Sequence, residues 1–249
     1  MTVPGTFDTS ARELIHAGLQ NLDEARSLFR QLSASGFDAA RCGLLLDALQ
    51  HVCDPDVALR NLVDIVNAQV SQGRALDDIV PDDTAFRQLV AVLGVSDAMG
   101  KLMRFRPDLV QAAATDHCNS HLYNHDQRRA HVLESVGADP NDRMSPTATM
   151  DLADAATALR RTYRNQLAAI IAQDTMSDDP IALQPRISSE LSDLADAALE
   201  GALAIARHEI AGSEHCRFAI IGMGKLGARE LNYVSDVDLI YVVKAADAD

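Results

Sequence analysis

Positive charge is scarce in this sequence. Its 249 residues hold 22 Lys and Arg against 36 Asp and Glu, a net charge of −14. A surface of that sign repels a polyphosphate backbone, which argues against broad nucleic-acid binding. Paired cysteines are missing as well: Cys42, Cys53, Cys118 and Cys216 are scattered with no CxxC spacing. Neither a disulfide framework nor a closed structural zinc site is expected, and a reducing cytoplasm suits such cysteines. No stretch approaches the ~18 apolar residues of a membrane-spanning helix. The opening residues, MTVPGTFDTSARELIHAG, lack a basic segment followed by an apolar one, so no export signal or membrane segment is expected. What the chain does have is apolar content, 47% hydrophobic with 23% charged. That is enough for a sizeable core and for one large domain or two modest ones.

From about residue 9 to 211 the apolar residues recur at helical spacing, and almost nothing alternates with the period of a half-buried strand. This region reads all-α. Thr9 and Ser10 precede ARELIHAGL as N-caps, with Glu13 three positions after Ser10. Asp54-Pro55 opens VALRNLVDIVNAQV, which Gly73 ends. There Leu59, Leu62, Val63, Val66 and Val70 share one face, and Arg60, Asn61, Asp64 and Ser71 take the other. Further helices are predicted near 22–34, 38–51, 83–93, 106–114 and 127–136. Two longer ones, 148–174 and 187–211, flank SDDPIALQPR and predict an antiparallel hairpin. The stretch 137–147, GADPNDRMSPT, predicts a loop or subdomain break. No fixed-period repeat points to a solenoid.

After Ser213 the pattern changes. Phe218–Ile221 and Val237–Val243 are short β-branched, apolar runs around a glycine-containing turn and a short helix-like segment. Two strands alone are marginal in water, and an apolar strand so near the last residue would be an open edge. The chain therefore reads as cut short: either the natural polypeptide continues past Asp249 and completes the sheet, or the chain is a fragment. The expected class is α+β, with a helical region over 1–212 and an incomplete second domain over 213–249.

Two features in this last segment carry chemistry: Gly222, Gly224 and Gly227 directly after one run, and Asp236-Val237-Asp238 at the start of the next. In an extended strand Asp236 and Asp238 project from one face. Two close carboxylates repel unless a divalent cation keeps both ionised, and hard oxygen donors of this kind suit Mg²⁺ shared with substrate phosphates. A backbone without Cβ lets a phosphate approach closely, the amides of the following helix start point at the anion, and Lys225 adds positive charge.

Blander and rival readings exist. The acids could be a solvated strand entry and the glycines an ordinary turn. Gly222-Met-Gly224-Lys-Leu-Gly227 also satisfies GxGxxG, with Asp247 twenty residues beyond Gly227, as in a dinucleotide-binding unit. The few residues between Gly227 and Ser235 are short for the helix of such a unit, which would also leave the two acids idle. His117, His121 and His125 recur every four residues beside Cys118, a spacing that could bind zinc, although Asn119, Asn124 and Asp126 favour a polar turn. Cys53 and Cys216 read as small buried residues rather than nucleophiles. Arg160, Arg161 and Arg164 read as a solvated helix face or a contact for an acidic partner. A helical interaction module with a sheet stub is the alternative from another class.

The string GMGKLGARELNYVSDVDLIYVV resembles the signature of the glutamine synthetase adenylyltransferase family, two-headed enzymes with a DNA polymerase β-like nucleotidyltransferase fold in each half. Glu230-Leu231-Asn232-Tyr233 followed by Ser235-Asp236 is more similar to the N-terminal, adenylyl-removing half. Upstream, LDALQHVCDPDVALRNLV, RQLVAVLGVSDAMGKLM and ELSDLADAALEGALAIAR also resemble the helical region that precedes the first catalytic domain of that family. The resemblance implies that Asp236 and Asp238 bind Mg²⁺ as catalytic residues and that Gly222, Gly224 and Lys225 cradle phosphate, with ATP or ADP as substrate or product. Ser235 would either donate a hydroxyl bond or merely begin the strand. Arg229 and Glu230 are expected on the solvent face of the short helix. The implied reaction is phosphorolytic removal of AMP from a tyrosine of glutamine synthetase, releasing ADP, the other half running the ATP-dependent transfer. A PII-type signalling protein is an implied partner. A third metal-binding carboxylate has no counterpart before residue 249, so the chain alone is expected to be catalytically poor.

Overall fold

The computed structural model describes residues 9–79, 82–114 and 123–245. They form two compact units, one containing residues up to 120 together with 171–178, the other 121–170 together with those from 179 onward.

The first unit contains α1 (Ala11–His16), α2 (Leu22–Ala34), α3 (Ala39–Leu49), α4 (Pro55–Ser71), α5 (Leu76–Ile79), α6 (Asp83–Val95), α7 (Asp97–Met103) and α8 (Pro107–Ala114). Short polar side chains start most of them. Ser10, Asn21, Asp38, Asp54, Asp82 and Ser96 each accept the backbone N–H three residues ahead, satisfying a donor the helix cannot. Ser10 and Glu13 complete the expected capping box. The core is centred on α4 and α6, where Leu59, Leu62, Ile65, Val66, Phe86, Leu89, Val90, Val92 and Leu93 are buried. Asn61 was expected on the solvent face of α4 but is buried. Its amide donates to the Leu93 carbonyl, and Gly100 leaves room for it: a Cβ there would lie 2.4 Å from Asn61 Cγ. Both flanks of α4 are therefore covered, which a single apolar stripe does not foretell. Helices α5 and α7 escaped the periodicity analysis because they are too short to show one. Ser96 both ends α6 and caps α7.

The second unit contains α9 (His125–Ser135), the part of α10 (Leu152–Thr175) up to residue 170, α11 (Pro180–Glu209), a 3₁₀ turn (Ser213–His215), β1 (Cys216–Gly222), α12 (Gly224–Gly227) and β2 (Leu239–Ala245). The expected hairpin is present: Ala155 of α10 packs with Ala204 and Ile205 of α11, and Ile170 with Ile187 and Leu191. Helix α11 starts at Pro180 rather than near 187. Asp179 caps it, Pro180 occupies its first turn where no N–H is needed, and Pro185 lies on its exposed side.

A buried polar network joins α9, α10 and α11. Arg128 of α9 is 1% exposed and donates to Gln166 of α10 and to Glu190 of α11. Arg129 grips Glu200 through two bonds of 2.7 Å and also donates to the carbonyls of Pro140 and Asp142. The 137–147 stretch is a loop held by these bonds and by Arg207 donating to the Pro146 carbonyl.

Strands β1 and β2 pair antiparallel, with Gly222 opposite Leu239 and Cys216 opposite Ala245. The class is α+β. Ile240, Tyr241, Val242 and Val243 are all exposed, and no third strand joins the sheet among the described residues. Two expectations are corrected: Cys53 and Cys216 are exposed, because one sits in the turn before α4 and the other opens an uncovered strand. Among the described cysteines the buried thiol is that of Cys42, whose pKa burial raises. No helix among the described residues is long and apolar enough to cross a membrane.

Candidate functional site

The turn after β1 is built from glycines for two separate reasons. Gly224 has φ +53, a left-handed backbone that other residues adopt only with strain. Gly227 lies so close to the end of β1 that an added Cβ would stand 2.5 Å from the Gly222 carbonyl oxygen. Between them α12 makes a single turn, closed by the Gly227 and Ala228 amides donating to the carbonyls of Met223 and Gly224. Leu226 faces inward and joins Leu231, Ile170, Ile187, Leu191 and Leu194 in one apolar cluster. The turn is thus seated on α10 and α11.

The acidic segment meets this turn through its backbone. Strand β2 begins at Leu239, so Asp236 and Asp238 precede it rather than lying within it. The Met223 amide donates to the Asp238 carbonyl at 2.8 Å, one step beyond the Gly222–Leu239 pair. The place of a Cβ on Gly224 lies 3.3 Å from Asp238 Oδ2. Gly222, Gly224 and Asp238 are therefore brought together. Asp236 is exposed two residues earlier, and Lys225 is exposed on α12. Ser235 is already engaged: its hydroxyl donates to Asn232 Oδ1 at 2.6 Å, bracing the loop.

The antiparallel pairing overturns one alternative. A dinucleotide-binding unit needs parallel strands joined by a crossover helix. Here the strands run in opposite directions around one helical turn, so the GxGxxG match has a different origin.

A family model described as glutamate-ammonia ligase adenylyltransferase matches residues 86–249, from α6 through the glycine turn to the last residue. The chain belongs to that family. Among relatives of this adenylyltransferase family, a bifunctional glutamine synthetase adenylyltransferase/adenylyl-removing enzyme of Bifidobacterium longum is 68% identical over 98% of the chain and 23% of its own length. Proteins of the same name from Cutibacterium acnes and Mycobacterium avium are 32% and 37% identical over 95% and 82% of the chain, and 24% and 20% of their own lengths. The chain thus spans about a quarter of the adenylyltransferase relatives it matches.

One charged contact was misplaced by sequence reasoning. Arg229 does not simply face solvent: its Nη2 lies 2.5 Å from Asp193 Oδ1 and 2.9 Å from Ser189 Oγ on α11, with Nη1 3.9 Å from Asp196. His125, Asp193 and Asp196 place ligand atoms within 4.8 Å of one another, a set that could hold a metal ion, although the Arg229 guanidinium already supplies positive charge there. The readable signal was the spacing of Asp193 and Asp196, which puts both on one face of a helix. Burial raises the Asp196 pKa and the Asp193 charge adds to that, while Arg229 and His125 oppose it. Of the zinc-like histidine set, His117 and His121, with Cys118, lie outside the described residues.

Proposed function

We propose that the turn and acidic segment form part of a metal-dependent nucleotidyl-transfer site that removes AMP from an adenylylated tyrosine of glutamine synthetase. The observation that carries this reading is the approach of Asp238 Oδ2 to the glycine turn at Gly224. It puts an anionic oxygen beside a backbone that lacks side-chain bulk, where a phosphate can meet both amides and a cation held by that oxygen.

Asp236 and Asp238 would hold Mg²⁺. The donor chemistry fits, since both are exposed carboxylates and carboxylate oxygens are hard ligands. When bound, the ion neutralises charge on the phosphoryl oxygens. Gly222 and Gly224 present main chain to the phosphates of ADP or ATP, and Lys225 adds a cation from the exposed side of α12. Ser235 would reach a phosphate only by leaving Asn232, so its first role is to shape the loop.

In the proposed reaction an orthophosphate oxygen attacks the phosphorus of the tyrosyl-AMP ester. A new phosphorus–oxygen bond gives ADP, the bond to the tyrosyl oxygen breaks, and that oxygen takes up a proton. The domain carrying this chemistry would begin near 213 and follow the helical region 1–212. By the same reading the whole protein also adenylylates glutamine synthetase from ATP, works in the cytoplasm and answers to a PII-type signalling protein.

The test is Mg²⁺-dependent ADP binding by the intact gene product, measured calorimetrically. Binding that requires Mg²⁺ and is lost on Asp236→Asn with Asp238→Asn is expected. Unchanged binding in that double variant would remove the metal from the account and favour a helical interaction module.

A further inference from the structure

We infer that Arg229 is a positioning residue: it clamps the aspartate-bearing segment onto α11 through Asp193, with Asp196 and Ser189 completing its seat. The inference rests on the nucleotidyl-transfer reading for its functional meaning and on geometry for its structural one.

Arg229 is the one non-glycine with positive φ among the described residues, at 58°. Such a conformation persists only where surrounding contacts over-determine it. The contacts are present on both sides. The Arg229 amide donates to the Leu226 carbonyl at 3.0 Å, and its guanidinium donates to Asp193 and Ser189. Asp193 is 8% exposed, so its carboxylate has little water to replace this partner.

The neighbours show what the clamp holds. Leu226 and Leu231, on either side of Arg229, are both buried against α11, and the Leu231 amide points at Ser192 Oγ at 3.5 Å. Ser189, Ser192, Asp193 and Asp196 fall at helical spacing along a single face of α11. After Leu231, residues 232–234 and 236–238 are exposed, and the Met223 amide recaptures the chain at the Asp238 carbonyl. The path of Asp236 and Asp238 is therefore fixed between two tethers, and Arg229 supplies the charged half of the first. Without it, Asp193 and Asp196 would lose the guanidinium that offsets their charges. The turn would then lose its charged hold on α11 and keep only the apolar contacts of Leu226 and Leu231 with the Ser192 bond.

The experiment uses the intact gene product with Arg229→Gln, Arg229→Lys, Asp193→Asn and the Arg229→Gln/Asp193→Asn pair. Amide hydrogen exchange over residues 222–238 reports the clamp, and the Mg²⁺ midpoint for ADP binding reports its consequence. In Arg229→Gln, exchange in that segment and the Mg²⁺ midpoint should each rise about tenfold, while protection in α9 and α11 stays as in the parent. Arg229→Lys should restore part of both, because it keeps the charge but not the two-pronged contact. The double variant should be no worse than Arg229→Gln alone. Unchanged exchange in Arg229→Gln, or effects of the two single variants that simply multiply, would overturn the inference. Faster exchange in a protein whose parent shows no Mg²⁺-dependent ADP binding would support the clamp and overturn the nucleotidyl-transfer reading instead.

Discussion

The α-carbon of Gly227 faces the carbonyl of Gly222 so closely that a methyl group added there would sit 2.5 Å from the oxygen. The obstacle is backbone, which cannot rotate aside. Gly227→Ala should therefore displace the turn and cost about 1–3 kcal/mol of stability. Gly224→Ala strains φ instead, at a cost of roughly 1–2 kcal/mol. Urea unfolding measures both losses. Equal stability of Gly227→Ala and the parent would mean the turn is not packed as described.

The Arg128–Glu190 pair lies inside the second unit, and its side chains are 1% and 12% exposed. Removing one partner leaves the other charge without water, so Glu190→Ala should cost about 3–5 kcal/mol. By contrast, Asp23→Ala breaks an exposed pair with Arg26 and should change stability by less than about 1 kcal/mol. The difference between the two unfolding free energies is the measurement. A small loss at Glu190 would show that Gln166 alone suffices for Arg128.

Gly201 lets α9 and α10 close on α11, since a Cβ there would meet Val132 at 2.8 Å and Leu159 at 2.9 Å. Gly201→Ala should destabilise the unit by about 1–3 kcal/mol despite its better helix propensity. A gain in stability on urea unfolding would show that the two side chains give way.

Asp196 provides a pH dependence. Burial holds its pKa above the ordinary carboxylate value, so across the window between the two values the folded state binds more protons than the unfolded one. Its contribution to stability then falls as pH rises through that window. Asp196→Asn should remove this component, and the difference in urea midpoint between parent and variant should shrink towards acid pH. A difference that stays constant with pH would contradict the raised value.

Much of this arrangement was readable from residue order. The capping box at Ser10 and Glu13, the Asp54-Pro55 helix start and the α10–α11 hairpin follow from local chemistry and apolar spacing. The glycine turn and acid pair stood out by their spacing, three glycines directly after one apolar run and two acids two residues apart at the start of the next. What was hidden depends on partners distant in sequence. Asn61 is buried because a carbonyl from α6 needs its amide, and Arg229, though still partly exposed, is turned onto α11 because Asp193, 36 positions earlier, receives it. Pro185 falls in the segment expected to separate the two long helices, yet it sits on the exposed side of α11, where losing one N–H is tolerated.

The central claim is most directly tested by ADP release from adenylylated glutamine synthetase on addition of orthophosphate, with the intact gene product and its Asp236→Asn/Asp238→Asn variant. The account predicts phosphate-dependent release by the parent and a loss of about a thousandfold in the variant, several kcal/mol of transition-state stabilisation, without a change in melting temperature. Release at the parental rate by the folded variant, or none by the parent, would contradict it.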